Sequence, residues 1–201
     1  MIPEFHGFPK MARLYREIII TEKLDGTNAQ VYITMDDPTD ELPVVAIVLT
    51  EVGPMYLYAG SRNRWITPTD DNFGFAAWVA DNRLKLVGLG PGRHFGEWWG
   101  RGIQRGYGMG DRKFSLFNTA RWNHTNIPDS PSIGVVPTLY QGVFSTQAVE
   151  ECLVSLRDNG SRAAPGFMDP EGVVVYHTAA NVGFKKTLHN DESPKSTVTT
   201  A

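Results

Sequence analysis

Short apolar runs separated by turn-forming residues restrict the fold of this sequence more than any other feature. Most runs have roughly five to eight residues, are rich in β-branched and aromatic side chains, and are bounded by Gly, Pro, Asn or Asp, as β-strands usually are. The intervals between most runs are too short for helical crossovers, so we expect mostly antiparallel pairing. The predicted strands are 17–22, 29–35, 44–51, 55–60, 93–99, 113–122, 134–140, 172–177 and 182–187.

Two segments have helical periodicity. The first follows Asp71 or Asn72, either of which can cap the alanine-rich turns behind it. The second begins at Ser145, carries Cys152 in its apolar stripe and ends at Gly160. A few helices beside mostly antiparallel strands predict an α+β fold, in which Cys152 is a core residue and not a nucleophile.

Length and charge restrict the organisation of the chain. A chain of 201 residues can bury one core but is short for two, so we expect a single domain over 1–189 and a mobile polar tail over 190–201. The formal net charge of −3 gives no overall attraction for polyanions, and a nucleic-acid site must therefore be a local basic patch. A lone cysteine, with no signal peptide or long apolar segment, predicts a soluble, cytoplasmic protein without a membrane partner.

The segment from Glu22 to Asn28 lies between two predicted strands and contains Lys23, followed by Asp25 and a glycine. Asp-Gly favours a tight hairpin turn with solvated charges around it. The same turn would hold Lys23 at a strand end, where its deprotonated amine could attack an electrophile. The two interpretations are compatible, because a rigid turn is a good mount for a nucleophile.

Two further segments carry pairs of arginines. Arg62 and Arg64 would share one face if the preceding strand continued, forming either a phosphate clamp or a solvated edge, and the residues alone favour the edge. Arg101 and Arg105 lie in a glycine-rich loop that could approach phosphates or could simply end a hairpin.

Two carboxylates stand in apolar surroundings. Glu97 lies inside a hydrophobic predicted strand, so it either pairs internally or faces a cavity where hydroxyl groups donate to it. Glu171 opens another apolar strand, and Lys185 and Lys186 follow on the next one. These residues could form a surface ion pair, or the metal and phosphate end of a nucleotide site.

In chain order, these segments resemble the motifs of the covalent nucleotidyltransferase superfamily, which contains polynucleotide ligases and mRNA capping enzymes. Asn28 stands where DNA ligases and capping enzymes usually have Arg, and the sequence from Lys23 onwards is similar to that of the RNA ligase 2 type. The matching motifs are Lys23-Leu-Asp25-Gly26, Ser61-Arg62, Phe95-Gly96-Glu97, Phe114-Ser-Leu-Phe117, Glu171-Gly172 and Phe184-Lys185.

The resemblance implies an ATP-grasp-like ligase adenylation domain of antiparallel sheets flanked by a few helices. It also implies an ATP-dependent RNA ligase with Mg²⁺ or Mn²⁺, in which Lys23 forms a covalent lysyl-AMP. The AMP would pass to an RNA 5′-phosphate, and a 3′-hydroxyl would then seal the strand and release AMP. The expected substrates are the ends of a nicked or bridged RNA duplex, and a phage-encoded ligase would act in the host cytoplasm.

The resemblance also implies a role for each matching residue. The expected catalytic residues are Lys23, Lys185 and Glu171, and the expected metal ligands are Glu171 and Asp25. The residues expected around ATP are Glu22, Lys23, Asn28, Arg62, Glu97 at the ribose, Phe117 on the adenine, Glu171, Lys185 and Lys186. Those expected at nucleic acid are Arg64, Arg101 and Arg105.

Two departures from the family pattern leave alternatives open. Thr187 stands where the family usually has a second lysine, and Lys186 would point away from Lys185 in a regular strand. The chain also ends soon after this motif, without space for the C-terminal domain of many relatives, so an accessory protein could supply substrate binding. The alternatives are a DNA ligase or guanylyltransferase on the same fold, and a module that binds nucleotide or RNA ends without sealing them.

Overall fold

The framework of the protein is two β-sheets, seen in a computed structural model that describes residues 3–39, 41–189 and 191. The strands are β1 (Glu17–Lys23), β2 (Thr27–Thr34), β3 (Ala46–Thr50), β4 (Gly53–Gly60), β5 (Trp65–Ile66), β6 (Gly92–Gly100), β7 (Arg112–Leu116), β8 (Ile133–Val135), β9 (Thr138–Val143), β10 (Gly172–His177) and β11 (Val182–Thr187). The α-helices are α1 (Phe75–Asp81), α2 (Arg83–Leu86) and α3 (Thr146–Asn159), and short 3₁₀ turns cover Val87–Leu89 and Gly106–Gly108.

The smaller sheet has the strand order β11-β10-β1-β9, and the larger has the order β3-β4-β2-β6-β7-β8 with β5 beside β4. Among the described strands, every pair is antiparallel except β7 with β8. β1 and β2 are consecutive but belong to different sheets, so residues 24–26 carry the chain from one sheet to the other. The predicted α+β fold is confirmed.

Each sheet buries one face in a hydrophobic core. On β2, Ala29, Val31 and Ile33 alternate into a core that includes residues of α1 and α2. On β1, Ile18 and Ile20 pack in the same way with residues of α3. Because side chains alternate along a strand, the intervening positions of β1 and β2 point to the opposite faces, where polar side chains are available for a site.

The predicted start of α3 at Ser145 is confirmed, whereas the first helix begins later than predicted, with Gly74 as its N-cap residue. The Asp71 carboxylate accepts two backbone N–H groups of the first turn of α1, at 2.8 and 3.0 Å, although α1 begins only at Phe75. The Ser145 hydroxyl caps α3, which ends at Gly160 and buries Cys152 as expected.

Two predicted strands are wrong in extent. The predicted strand 113–122 ends as β7 at Leu116, because the chain beyond it folds into successive turns. The predicted strand 134–140 is two strands, β8 and β9, in different sheets. Pro137 separates them because it has no N–H for a strand ladder, and its carbonyl oxygen accepts the Glu22 N–H of the smaller sheet.

The predicted mobile tail, 190–201, lies outside the described residues apart from Asp191. Within the described part of the chain, no helix combines the length and the hydrophobicity that crossing a bilayer requires.

Candidate functional site

A cleft of about 1280 Å³ is lined by side chains from both sheets. The smaller sheet contributes Lys23 of β1 and Lys185 of β11, and the larger sheet contributes Asn28 of β2 and Glu97 of β6. Polar and charged groups from distant parts of the sequence therefore converge on one cavity, as they usually do at small-molecule sites.

Lys23 is the last residue of β1, and its amine is held by Glu171. The Nζ atom lies 2.5 Å from Oε2 of Glu171, whose side chain is only 3% exposed. Antiparallel pairing places Lys23 opposite Gly172, which brings Glu171 to this strand end. Gly172 has a φ of +151°, and a Cβ there would lie 2.2 Å from the carbonyl oxygen of Lys186, so only glycine fits. The backbone therefore fixes the ion pair.

Glu97 is the centre of a second polar group, on the larger sheet. Its Oε2 accepts a hydrogen bond from Nδ2 of Asn28 at 2.9 Å, and its Oε1 accepts the Gly26 N–H at 3.0 Å. Nε of Arg62 donates to Oδ1 of Asn28 at 3.1 Å. A Cβ on Gly26 would lie 2.4 Å from the Trp98 carbonyl oxygen, so glycine permits this close approach. The amide of Asn28 thus links the guanidinium of Arg62 to the carboxylate.

The environment of Glu97 disfavours its ionised form. Desolvation by burial raises the pKa of the Glu97 carboxyl from 4.5 to about 7. Hydrogen bonds from Asn28 and Gly26 and the charge of Lys23 oppose this rise in pKa. The charge of Glu171 adds to it. A carboxyl whose pKa lies near neutrality inside a cleft is a common property of functional sites.

The two lysines of β11 point to opposite sides of the smaller sheet, as strand alternation predicts. Lys185 pairs in register with Val174, and both residues line the cleft. Nζ of Lys186 lies instead 3.5 Å from Oε1 of Glu150 on α3 and 3.9 Å from Oδ2 of Asp191. The structure therefore brings Lys185 to the cleft and places Lys186 on the other face.

Phe117 follows β7 and lines the cleft together with Phe95. Its backbone N–H donates to the Phe95 carbonyl oxygen at 3.0 Å, and the two residues are 40% and 51% exposed, respectively. Both also line a smaller cavity of about 290 Å³ with Asn28 and Arg62. Exposed aromatic rings beside a polar cleft offer stacking surfaces for a planar ligand.

Comparison with protein families gives a match over most of the chain. A family model described as RNA ligase matches residues 16–189. This chain belongs to the RNA ligase family. No curated protein sequence matches it significantly.

The fold of this RNA ligase family member is similar to solved structures of Naegleria gruberi RNA ligases. One apo form has a TM-score of 0.53 at 18% identity, over 92% of this chain and 57% of that chain. A form with ATP and Mn has a TM-score of 0.54 at 18% identity, over 88% and 51%. A form with AMP and Mn has a TM-score of 0.52 at 18% identity, over 87% and 50%. This chain thus spans about half the length of these ligases.

In this RNA ligase family member, Glu22 borders the cleft, but its carboxylate is engaged elsewhere. Its two oxygens accept the Ser161 hydroxyl at 2.5 Å and the N–H groups of Arg162 and Ala163 at 2.8 and 3.0 Å. Burial raises the pKa of Glu22, against the opposing effect of these hydrogen bonds. The carboxylate therefore anchors the loop after α3, and the structure does not direct it to a nucleotide.

Asp25 and Arg105, expected at a metal and at nucleic acid, contact each other. Nε of Arg105 lies 3.0 Å from Oδ2 of Asp25, and its Nη1 lies 2.7 Å from Oδ2 of Asp169. The Asp25 N–H also donates to the hydroxyl of Tyr107 at 2.8 Å. Neither Asp25 nor Arg105 is among the described residues that line the cleft. Their contacts hold the turn that follows Lys23.

The expectation that Arg62 and Arg64 share a face is wrong. The Ser61 N–H donates to the Arg64 carbonyl oxygen at 2.9 Å, so the chain turns where a continued strand was expected. Arg62 lines the cleft, whereas Nη1 of Arg64 lies 2.6 Å from a carboxylate oxygen of Asp70. Arg101 is exposed and, like Arg64, is not among the described residues of the cleft lining.

Two arginines of the cleft were not identified from the sequence. Arg93 and Arg121 both line it. Arg93 lies four residues before Glu97 on β6, so strand alternation could have placed the two on one face. Arg121 lies in the turns that follow β7, where a strand was predicted, and no periodicity in the sequence indicated that it would reach the cleft.

Proposed function

We propose that this chain is an ATP-dependent RNA ligase in which Lys23 forms a covalent lysyl-AMP. The observation that carries the proposal is the Lys23 amine, held 2.5 Å from Glu171 beside a cleft that also contains Glu97 and Lys185. The structural neighbours that have ATP or AMP with Mn support the choice of nucleotide and of a divalent ion.

In the first step, Nζ of Lys23 attacks the α-phosphorus of ATP. The ammonium first loses one proton, which gives Nζ the lone pair that it needs for the attack. The bond from Nζ to phosphorus then forms, the bond from phosphorus to the bridging oxygen breaks, pyrophosphate leaves, and Nζ releases a second proton. The amine must first release its contact with Glu171, so nucleotide binding is coupled to opening of this ion pair. Because the displacement is in-line, positioning and charge neutralisation supply most of the rate.

The two sheets have different tasks in this proposal. On the larger sheet, the Glu97 carboxylate accepts hydrogen bonds from the ribose hydroxyls, and Phe117 stacks on the adenine. Arg62, oriented by its 3.1 Å hydrogen bond to Asn28, binds a phosphate of the nucleotide or of the RNA end. On the smaller sheet, Lys185 neutralises charge that develops at the α-phosphate.

A divalent ion fits this site only together with substrate oxygens. No group of three or more His, Cys, Asp or Glu side chains in the described part of the chain could hold an ion by itself. Mg²⁺ usually binds through one or two carboxylates together with substrate phosphates and water, and the Glu171 carboxylate suits that role. The ion supplies charge neutralisation at the phosphates. Asp25 suits the role less well, because its carboxylate is engaged by Arg105.

Two further displacements complete the proposed reaction. An oxygen of an RNA 5′-phosphate attacks the AMP phosphorus, the bond from phosphorus to Nζ breaks, and Nζ takes up a proton as the Lys23 amine leaves. A 3′-hydroxyl oxygen then attacks the 5′-phosphorus, loses its proton and displaces AMP. We propose the ends of a nicked or bridged RNA duplex as substrates, in the cytoplasm, with an accessory protein as the source of any additional RNA-binding surface.

Incubation with α-labelled ATP and Mg²⁺ tests the proposal. We expect an acid-labile protein–AMP adduct in the wild type and in Lys186→Ala, which removes a lysine from the face opposite the cleft. We expect none in Lys23→Ala. The absence of any adduct, or an adduct that survives Lys23→Ala, would overturn the proposal.

Two further assays, labelling with GTP and strand sealing, distinguish an RNA ligase from the alternative functions. An adduct formed with labelled GTP and not with ATP would indicate a guanylyltransferase. Sealing of nicked DNA without sealing of nicked RNA would indicate a DNA ligase. Adduct formation without sealing of any strand would leave a nucleotide-binding module that does not join ends.

A further inference from the structure

We propose that an unpaired RNA segment next to the duplex ends to be joined binds along a surface stripe that leads away from the reaction centre. The stripe consists of Tyr32, Tyr58, Trp65 and Arg93, and we call it the Arg93 stripe. This inference rests on the proposed function, because it names the part of the RNA that the ligase holds outside the reaction centre.

The register of the larger sheet places the Arg93 stripe on the same face as Glu97. Residues directly opposite each other in an antiparallel pair point to the same side of the sheet. Strands rise about 3.4 Å per residue, so Arg93 and Glu97, four residues apart on β6, are separated by about 14 Å. The pairs on this face run outwards as Asn28 with Glu97, Gln30 with Phe95, and Tyr32 with Arg93. The stripe is therefore continuous with the proposed nucleotide site.

Three aromatic rings pack together beside the guanidinium of Arg93. The ring centroids are 5.6 Å apart for Tyr32 and Tyr58, 6.1 Å for Tyr32 and Trp65, and 5.9 Å for Tyr58 and Trp65. Cζ of Arg93 lies 4.4 Å from the centroid of Tyr32 and 5.3 Å from that of Trp65. Tyr58 is buried, Tyr32 and Trp65 are partly exposed, and Arg93 is exposed. The rings thus support a guanidinium that remains accessible from solvent.

The charge of Arg93 is not neutralised by an ion pair within the described residues. Its Nη1 donates to the neutral amide oxygen of Gln30 at 3.1 Å. Arg64 and Arg105 differ from it, because they lie 2.6 and 2.7 Å from carboxylate oxygens. An arginine held by aromatic rings and a neutral amide keeps its charge available for an anion.

A planar charged group over partly exposed rings suits single-stranded nucleic acid. Unpaired bases stack on aromatic side chains and on arginine, while the strand's phosphates pair with the positive charge. The bases of a duplex are already stacked on one another and cannot use the ring of Trp65 in this way. Because the net charge of −3 gives no general attraction for RNA, binding depends on local features such as this stripe.

Fluorescence anisotropy with labelled single-stranded RNA tests the assignment on the full chain. Arg93→Gln removes the charge of the stripe. Arg83→Gln is the matched control, because Arg83 is an exposed arginine on α2 whose guanidinium donates to the Ala80 carbonyl oxygen. We expect Arg93→Gln to raise the Kd at least about fivefold and to lower the salt slope by about 0.7, as for one single-strand phosphate contact. Arg83→Gln should change neither value.

Trp65→Leu supplies a second variant that tests stacking without changing charge. We expect it to raise the Kd for single-stranded RNA at least about fivefold with an unchanged salt slope, in protein that still unfolds cooperatively. Equal affinities of Arg93→Gln and Arg83→Gln would overturn the proposal. Equal losses on single-stranded and duplex RNA would overturn it as well.

The adenylation assay separates the failure of this inference from the failure of the proposed function. Wild-type protein that forms the Lys23 adduct but binds RNA independently of Arg93 refutes the stripe and leaves the ligase proposal intact. Wild-type protein that forms no adduct but loses RNA binding in Arg93→Gln refutes the ligase reaction and supports the stripe as an RNA-binding surface.

Discussion

Replacing Glu97 with glutamine should stabilise the protein, relative to the wild type, more at pH 8 than at pH 5. Burial raises the pKa of Glu97 from 4.5 to about 7, so the folded chain binds this proton more tightly than the unfolded chain. The contribution of this group to wild-type stability therefore falls as pH rises from about 4.5 to 7, and its full cost is present above pH 7. The variant cannot ionise at this position and lacks that cost.

The size of the effect follows from the two pKa values. Linkage between them gives a cost of about 0.8 kcal/mol at pH 5 and about 3.3 kcal/mol at pH 8, a difference of about 2.5 kcal/mol. Relative to the ionised carboxylate, Glu97→Gln loses one acceptor for Asn28 or Gly26, because an amide NH₂ cannot accept a hydrogen bond. The protonated carboxyl that the wild type carries at pH 5 has lost the same acceptor, and the hydrogen bonds to the ionised form are already included in the pKa of about 7. The difference of about 2.5 kcal/mol therefore needs no separate hydrogen-bond correction.

Urea unfolding of both proteins between pH 5 and pH 8 measures this difference. Carboxyls elsewhere titrate in both proteins and cancel from it. Glu51→Gln, which removes an exposed carboxyl between β3 and β4, serves as the matched control. A difference between wild type and Glu97→Gln that stays constant over this range would refute the reasoning. It would mean that the hydrogen bonds from Asn28 and Gly26 and the charge of Lys23 fully offset desolvation.

Three further predictions concern other residues of the structure. Phe117→Ala should raise the Kd for ATP at least about fivefold, because it removes a base-stacking ring, and an unchanged Kd in calorimetry would remove that role. Lys185→Ala should slow single-turnover adenylation at least about tenfold, because it removes a positive charge from the cleft. Lys186→Ala changes a residue on the other face of the sheet and should slow adenylation less than about twofold. The reverse order of effects would contradict the strand register. Arg105→Ala should lower the free energy of unfolding, measured in urea, by about 2 kcal/mol, because it removes the guanidinium that neutralises the buried Asp25 carboxylate. An unchanged free energy of unfolding would show that other contacts are enough to stabilise this carboxylate.

The parts of the site that follow local rules could be predicted from the sequence. Alternation along β11 alone places Lys185 and Lys186 on opposite faces, as the structure confirms. A carboxylate inside an apolar strand predicts internal partners or a cavity, and Glu97 has both, with hydrogen bonds from Asn28 and Gly26. These inferences need only the period of a strand and the cost of burying a charge.

The parts that could not be predicted depend on contacts between distant segments. Arg105 looks like a free cation in a glycine-rich loop, but the fold brings it to Asp25, 80 residues away in sequence. The position of Arg64 was predicted wrongly for another reason. A four-residue turn from Ser61 to Arg64 competes with continuation of the strand, and the sequence composition does not decide between the two. Pro137 could have signalled the break between β8 and β9, because proline is unusual inside a central strand.

The contacts of Arg105 explain how Asp25 can matter to the reaction without lining the cleft. Asp25 comes two residues after Lys23, and Asp169 comes two residues before Glu171. The Arg105 guanidinium contacts both aspartates, at 3.0 and 2.7 Å. It therefore connects the segment that follows Lys23 to the segment that precedes Glu171. β1 and β10 already pair at this point, and the charged contacts hold the two strand ends from the other side. In-line displacement depends on the position of the amine to within a fraction of an ångström. Within the proposed function, we therefore propose that Asp25 acts as a positioning residue through the geometry of the Lys23–Glu171 pair.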